Sequence, residues 1–321
     1  MQTFLPYRDF RASAEVLDSP RLGKQRVETL QVLRALELPE YGWRNHPAVI
    51  MWRGRLPALV SYGLTMAQVW TERGFGDTTA AQMIEFAPEV ADLTQEELTA
   101  DGLVPSWLGR EDFHVSHRSR LITKDPDTYR PRFPGTPEGL EYVWPGADPT
   151  APAASPALGR PLWVVRPETE AELEVFTTES VIGLGESTGL PVDAVGLDEA
   201  ALRNAAGITG RKRPGRGLVA LRLLLDRLRP DDEVAVLIDE GRSLLVGVVL
   251  DSYRHDRRSA VPHRWPVRWD RTVPRAAVVR PARLQDPRPA FTVDLAAEPV
   301  APAGRTTTDE PVRATDRPSS R

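Results

Sequence analysis

The chain is 321 residues long, 41% hydrophobic and 27% charged, with a net charge of −4. That length supports two domains with their own cores, and the charge balance excludes a bulk polycation that coats nucleic acid. There is no cysteine, which excludes disulfides, thiolate metal sites and cysteine nucleophiles. The opening residues Met1 to Pro6 lack the charged-then-apolar plan of a signal peptide, and no run approaches the roughly 18 apolar residues of a membrane span. A cytoplasmic protein with no membrane partner is expected.

The first 145 or so residues read as mostly helical. Apolar residues recur at helical spacing through Ala14 to Leu38, Pro57 to Trp70 and Ala80 to Phe86. Gly42, Gly54, Gly74, Gly76 and the prolines Pro131, Pro134 and Pro145 punctuate them. Within the first of these segments lies Arg21-Leu22-Gly23-Lys24-Gln25-Arg26-Val27-Glu28. Arg21, Lys24, Gln25 and Glu28 share one helical face, and Val27, Leu30 and Leu33 are expected to pack inward from another. One carboxylate ringed by cations suits holding a phosphate backbone and moving a proton; the same charges also serve a plain solvated helix.

Further along, His46 in Asn45-His46-Pro47 either contacts a phosphate or base, or pins a turn by backbone hydrogen bonds. Thr94 with Glu97, ahead of Leu98, reads as a capping box. His114 and His117 have the spacing of a metal pair but lack a third ligand, so neither metal nor small-molecule cofactor is expected. Arg120 and Lys124 point the same way on a helix and are fit to bracket phosphates. Tyr129 and Phe133 follow, available for base stacking or for the core.

Residues 146–161 have the composition of a linker. Beyond them come short apolar or β-branched runs at Leu162 to Val165, Val181 to Leu184, Val234 to Ile238 and Leu244 to Leu250, with a weaker one at Ala277 to Val279. Leu218 to Leu228 has the spacing of a helix. A small mixed α/β or barrel domain over 162–285 is expected, and a disordered tail over 293–321. Gly183 to Gly189 has a G-x-G-x-x-x-G spacing, but the surrounding frame of a dinucleotide site is missing.

The helix Arg21 to Glu28, the turn Gly42 to Pro47, the helix ending Glu72-Arg73-Gly74-Phe75 and the Arg120…Lys124…Tyr129 segment occur in that order. Together they resemble the pyrimidine-dimer DNA glycosylase family, of phage-type endonuclease V fold, in an actinobacterial branch. The resemblance covers roughly residues 1–145 and implies an all-helical domain that flips a base out of damaged duplex DNA. It implies that the N-terminal α-amine attacks the deoxyribose C1′, and that a helical glutamate, matched by Glu28, assists ring opening and β-elimination. Arg120 and Lys124 match basic residues near the substrate phosphates, and Arg21 lies where the family has a basic residue or a histidine. Gln2 is bulky and is expected to leave Met1 in place, which makes the Met1 amine the nucleophile. Val27 stands where the family has a basic residue, with Arg26 one position away. Amines of this class titrate near pH 8, so a sizeable fraction is neutral and nucleophilic. The candidate set here is catalytic Met1 and Glu28, with Arg21, Lys24, Arg26, His46, Arg120, Lys124 and Tyr129 on nucleic acid.

Trp163, Val181 to Gly185, the helix Leu218 to Leu228, Leu228 to Val236, Val246 to Tyr253 and His263-Arg264-Trp265-Pro266-Val267-Arg268-Trp269 form a second ordered set. This set resembles the EVE-like branch of the PUA-like superfamily, small barrels with flanking helices that read modified or flipped bases. A reader pocket needs aromatic walls and edge donors. Trp163, Tyr253, Trp265 and Trp269 are candidates for the walls, with core as the alternative for Trp163 and Trp269. His263 and Arg264 join them, and Arg211, Lys212 and Arg213 are candidates for the backbone contact.

The expected fold is therefore a helical N-terminal domain and a small β-barrel with flanking helices. The expected function is N-glycosylase and abasic-site lyase action on duplex DNA with a damaged or modified base. The alternative is a non-catalytic reader of modified DNA or RNA.

Overall fold

The computed structural model describes residues 1–152 and 159–296. Asp9 caps α1 (Phe10–Glu15), and Asp18 caps α2 (Ser19–Glu37) through the Arg21 amide. The helical region continues with α3 (Pro47–Ile50), α4 (Leu56–Glu72), α5 (Ala80–Ile84), α6 (Gln95–Ala100), α7 (Glu111–Lys124) and α8 (Pro126–Tyr129). The Thr94–Glu97 capping box forms at the start of α6. Phe10, Leu22, Leu33, Trp52, Tyr62, Met66, Phe113 and Tyr129 are buried around α2, α4 and α7.

Close helix contact needs glycine at two places. A Cβ on Gly23 would sit 2.9 Å from the Trp70 ring, and one on Gly63 would sit 2.5 Å from Met83 Sδ. The burial of α2 differs from the expected pattern. Val27 is 44% exposed, whereas Gln25 and Glu28 are buried beside Leu22, Thr29, Leu30 and Leu33. The polar face of α2 is thus an inner face at Gln25 and Glu28, because the first residues of the chain lie against it, while Lys24 stays exposed.

The sheet region contains β1 (Arg160–Val165), α9 (Glu170–Thr178), β2 (Val181–Leu184), α10 (Glu199–Ala205), α11 (Arg216–Arg227), β3 (Glu233–Ile238), β4 (Ser243–Val249), β5 (Arg254–His255), β6 (His263–Pro274) and β7 (Ala290–Leu295). The order is β2-β6-β4-β3-β1-β7, with β5 added to β6; β1 and β3 are parallel and the other pairings antiparallel. Both faces are covered. Leu162, Val164 and Ala235 face one core with Phe291 and Val293, while Val165, Val234 and Val236 face another with Leu221 and Leu224 of α11.

Four expectations change here. The sheet is not closed into a barrel, because no ladder joins β2 to β7 among the described residues. Ala277 to Val279 is not a strand; Val278 makes only an isolated bridge to Leu295. Residues 293–295 finish β7, so the expected tail loses its start; residues 297–321 lie outside the described ones. The expected linker has as its third residue Asp148, which is buried and takes hydrogen bonds from Arg55, Ser106 and Thr150. Its last two residues, Arg160 and Pro161, open β1, and 153–158 lie outside the described residues. No helix among the described residues is long and apolar enough to cross a membrane.

Candidate active site

An extended chain end buried on a helix must satisfy its amides without a sheet partner. Residues 2 to 5 do so through side chains. The Gln2 N–H donates to Glu28 Oε2 at 3.2 Å and the Thr3 N–H to Gln2 Oε1 at 2.8 Å. The Phe4 N–H donates to Gln25 Oε1 at 2.8 Å, and the Leu5 N–H to His117 Nδ1 at 3.0 Å. Trp52 Nε1 donates to Thr3 Oγ1, and the Tyr62 hydroxyl lies 3.0 Å from the Phe4 carbonyl and 2.8 Å from Gln25 Oε1. Burial and the nearby Glu28 charge push the Tyr62 phenol well above its ordinary range, so it stays a neutral donor.

These bonds set the Met1 nitrogen 3.5 Å from Glu28 Oε1. Gln25 Nε2 donates to the other Glu28 oxygen at 3.2 Å, and Lys24 Nζ lies 3.6 Å from Oε1. Met1, Gln2, Phe4, Arg21, Lys24, Glu28, Lys124 and Tyr142 line a cleft of about 480 Å³. The carboxylate sits between a primary amine and an exposed ammonium, at the edge of a space open to solvent. An amine and a carboxylate in that relation can share a proton and face one ligand.

His114 and His117 take the part of a clamp rather than of a metal pair. His114 Nε2 accepts from the Gly109 N–H, so its Nδ1–H donates to the Leu5 carbonyl at 2.8 Å. His117 accepts from the Leu5 N–H on the other side of the same residue. Burial lowers the pKa of both imidazoles, that of His117 to about 3, and so keeps them neutral. No cluster of three metal-ligating side chains occurs among the described residues.

The remaining candidates divide. Arg21 faces the cleft but is tied to Asp18, to Asp125 at 3.4 Å and to the Lys124 carbonyl, and it lies over the Tyr129 ring. Arg120 pairs with Glu141 and lies over the Tyr142 ring. Arg26 turns away to Asp77 and the Trp70 ring, so it is not brought to the cleft. Tyr129 is core; its hydroxyl accepts from the Asp18 N–H and its ring stacks on Phe133. His46 caps α3 by accepting from the Ala48 N–H, yet its imidazole stands close enough to the site to feel both the Met1 ammonium and Glu28. Burial first, then that ammonium, holds it below its ordinary range.

In the sheet region the expected aromatic walls are engaged in the fold. Trp265 is buried, and Trp163 and Trp269 pack on the same core, with Trp269 Nε1 donating to the Phe176 carbonyl. The Tyr253 hydroxyl meets His263 Nδ1 at 2.8 Å and accepts from the Ala194 N–H. Arg264 is buried against Glu179, Ser259 and the Val261 carbonyl. Arg211, Lys212 and Arg213 remain exposed and form no ion pair among the described residues.

Sequence reasoning missed Gln25, Tyr62, Trp52 and the clamp made by His114 and His117. The signal was available in part: Gln25 three residues before Glu28, and an i, i+3 histidine pair with no third ligand. Residues 1–83 match the sequence profile of the family described as pyrimidine dimer DNA glycosylase. No curated protein and no solved structure matches the chain.

Proposed function

We propose that this protein acts on duplex DNA carrying a damaged base as an N-glycosylase and abasic-site lyase, with the Met1 amine as nucleophile and Glu28 as its acid–base partner. The observation that carries the reading is the 3.5 Å approach of the Met1 nitrogen to Glu28 Oε1 in a cleft also lined by Arg21, Lys24 and Lys124. The similarity of residues 1–83 to the glycosylase family supports a pyrimidine dimer as the lesion.

In this mechanism the neutral nitrogen bonds to C1′ of an extruded nucleotide as the glycosidic bond breaks. The base departs with that electron pair and takes up a proton. Glu28 then takes the proton from the nitrogen and passes it to O4′ as the C1′–O4′ bond opens, and an iminium remains. Glu28 accepts a proton from C2′, and the electron pair released expels the 3′ phosphate and nicks the strand. Water then hydrolyses the imine and returns the amine. Lys24 and Lys124 supply phosphate contacts, and the exposed Arg211, Lys212 and Arg213 support a second backbone contact from the sheet region.

Borohydride reduction in the presence of duplex DNA with one abasic site tests the reading. A covalent adduct on Met1 is expected, abolished by N-terminal acetylation and slowed about 10²- to 10⁴-fold in Glu28→Gln, the range of a lost general acid–base group. An adduct on a lysine overturns Met1 as the nucleophile, and no adduct overturns the lyase and leaves the non-catalytic reader.

A further inference from the structure

Trp43 is placed where neither packing nor backbone preference accounts for it. Its indole is 64% exposed, and its φ is +70°, a left-handed conformation disfavoured for bulky residues although Gly42 stands next to it. The turn is closed by the His46 N–H donating to the Trp43 carbonyl at 2.8 Å, so the ring is held outward by a defined backbone.

From Trp43 a line of aromatic contacts leads to the cleft. Trp43 meets His46 edge-on at 5.8 Å between ring centroids, His46 meets Trp144 at 6.0 Å, and Trp144 meets Tyr142 at 5.4 Å. Tyr142 is a cleft wall beside Met1 and Glu28. Trp144 is itself 36% exposed. Two arginines accompany the turn. Arg44 donates to the Pro39 carbonyl and Arg53 to the Arg44 carbonyl, and neither forms an ion pair among the described residues. Both guanidiniums therefore keep N–H groups for an anionic partner.

We propose that the Trp43 turn is a stacking wedge for duplex DNA: the indole enters the base stack beside the nucleotide drawn into the cleft, while Arg44 and Arg53 hold the flanking phosphates. An exposed flat apolar ring on a turn with guanidiniums that form no ion pair among the described residues matches the alternation of base faces and phosphates along a strand. Apolar wedges that replace lost stacking are a common means of stabilising an extruded nucleotide. The inference rests on the proposed glycosylase reading for the occupant of the cleft, but it concerns recognition and not the amine chemistry.

The test uses full-length protein and two duplexes, one undamaged and one with a single tetrahydrofuran abasic analogue, which forms no imine. Wild type is expected to favour the abasic duplex. Trp43→Ala is expected to weaken that complex about 5- to 150-fold, the span of base–aromatic stacking, and to leave the undamaged duplex within about 2-fold. Trp43→Phe is expected to restore most of the loss. Arg44→Ala combined with Arg53→Ala is expected to weaken both duplexes and lower the salt slope by about 2. Equal affinity of Trp43→Ala and wild type for the abasic duplex, or an equal loss on both duplexes that Phe does not rescue, overturns the wedge. Normal borohydride trapping alongside that result leaves the lyase intact; absent trapping with a Trp43-dependent preference removes the lyase and keeps the wedge.

Discussion

Gln25 is the residue on which the geometry of the amine most depends, although it carries no charge. Its side chain is fully buried, its carbonyl oxygen accepts from the Phe4 N–H and the Tyr62 hydroxyl, and its amide donates to Glu28. Removing it leaves a buried N–H without an acceptor and Glu28 without one of its donors. Such orphaned groups cost about 1–3 kcal/mol each. Gln25→Leu is therefore expected to lower unfolding free energy by about 2–4 kcal/mol in denaturant titrations. Imine trapping should fall with it, because the Met1 nitrogen is aimed by the same chain segment. Gln25→Glu keeps the shape but sets a second carboxylate against Glu28, where like charges resist joint ionisation. Trapping by Gln25→Glu should recover as pH falls, a trend that Gln25→Leu should not show. A flat pH response in Gln25→Glu would mean that the amide acts only as packing.

The first six residues and α7 form the working element, and its pH response follows from the two histidines. Protonated His117 cannot accept from the Leu5 N–H, and doubly protonated His114 cannot accept from the Gly109 N–H. Their folded pKa values lie below the ordinary value near 6.5. The stabilisation is thus complete above about pH 6.5 and is lost as pH falls toward 3, at about 1.4 kcal/mol per unit for His117. Unfolding free energies at pH 7.5, 6 and 4.5 should show that slope, and His117→Asn should flatten it, since its carbonyl accepts without titrating. An unchanged slope would place the acid sensitivity elsewhere. At this scale the sequence was readable where periodicity ruled: α4 and β1 to β4 lie close to their expected positions because their apolar spacing matches their burial, and α2 forms where expected although Val27 faces out. β7 was hidden because Phe291, Val293 and Leu295 alternate just past a Pro- and Arg-rich stretch. Met1 and Glu28 were readable as a pair through family resemblance. The spacing showed Gln25 on the face of Glu28 and His114 beside His117, but not that these side chains, with Tyr62, bond inward to the first residues, since spacing alone does not say which polar face is an inner one.

At the scale of the molecule, the helical and sheet regions meet along a seam crossed by ion pairs and side-chain hydrogen bonds. Arg275 clasps Glu85 through two nitrogens at 2.5 and 3.0 Å, and Gln285 bonds to the Gln82 carbonyl, Glu85 and Arg34. Arg280 and Arg283 reach Glu37 at 3.6 and 3.8 Å, and Arg288 reaches Glu40 at 3.4 Å. Ala282 is the apolar residue of the sheet region that joins the helical core. Polar seams of this kind permit relative motion more readily than apolar ones. Here they tie the exposed basic loop at Arg211 to Arg213 to the body that carries the amine. The clasp at Glu85 is half-buried and shares Gln285, so its two members act together. Wild type is expected to unfold in one calorimetric transition at low salt. Glu85→Ala combined with Gln285→Ala should separate this into two, because each region keeps its own core and loses the shortest hydrogen bonds that couple them. DNA affinity of the double variant should fall only where a substrate is long enough to touch both regions. A single transition in the double variant would show that the remaining contacts, the Glu37 and Glu40 ion pairs with Ala282, are sufficient to hold the two regions as one cooperative unit.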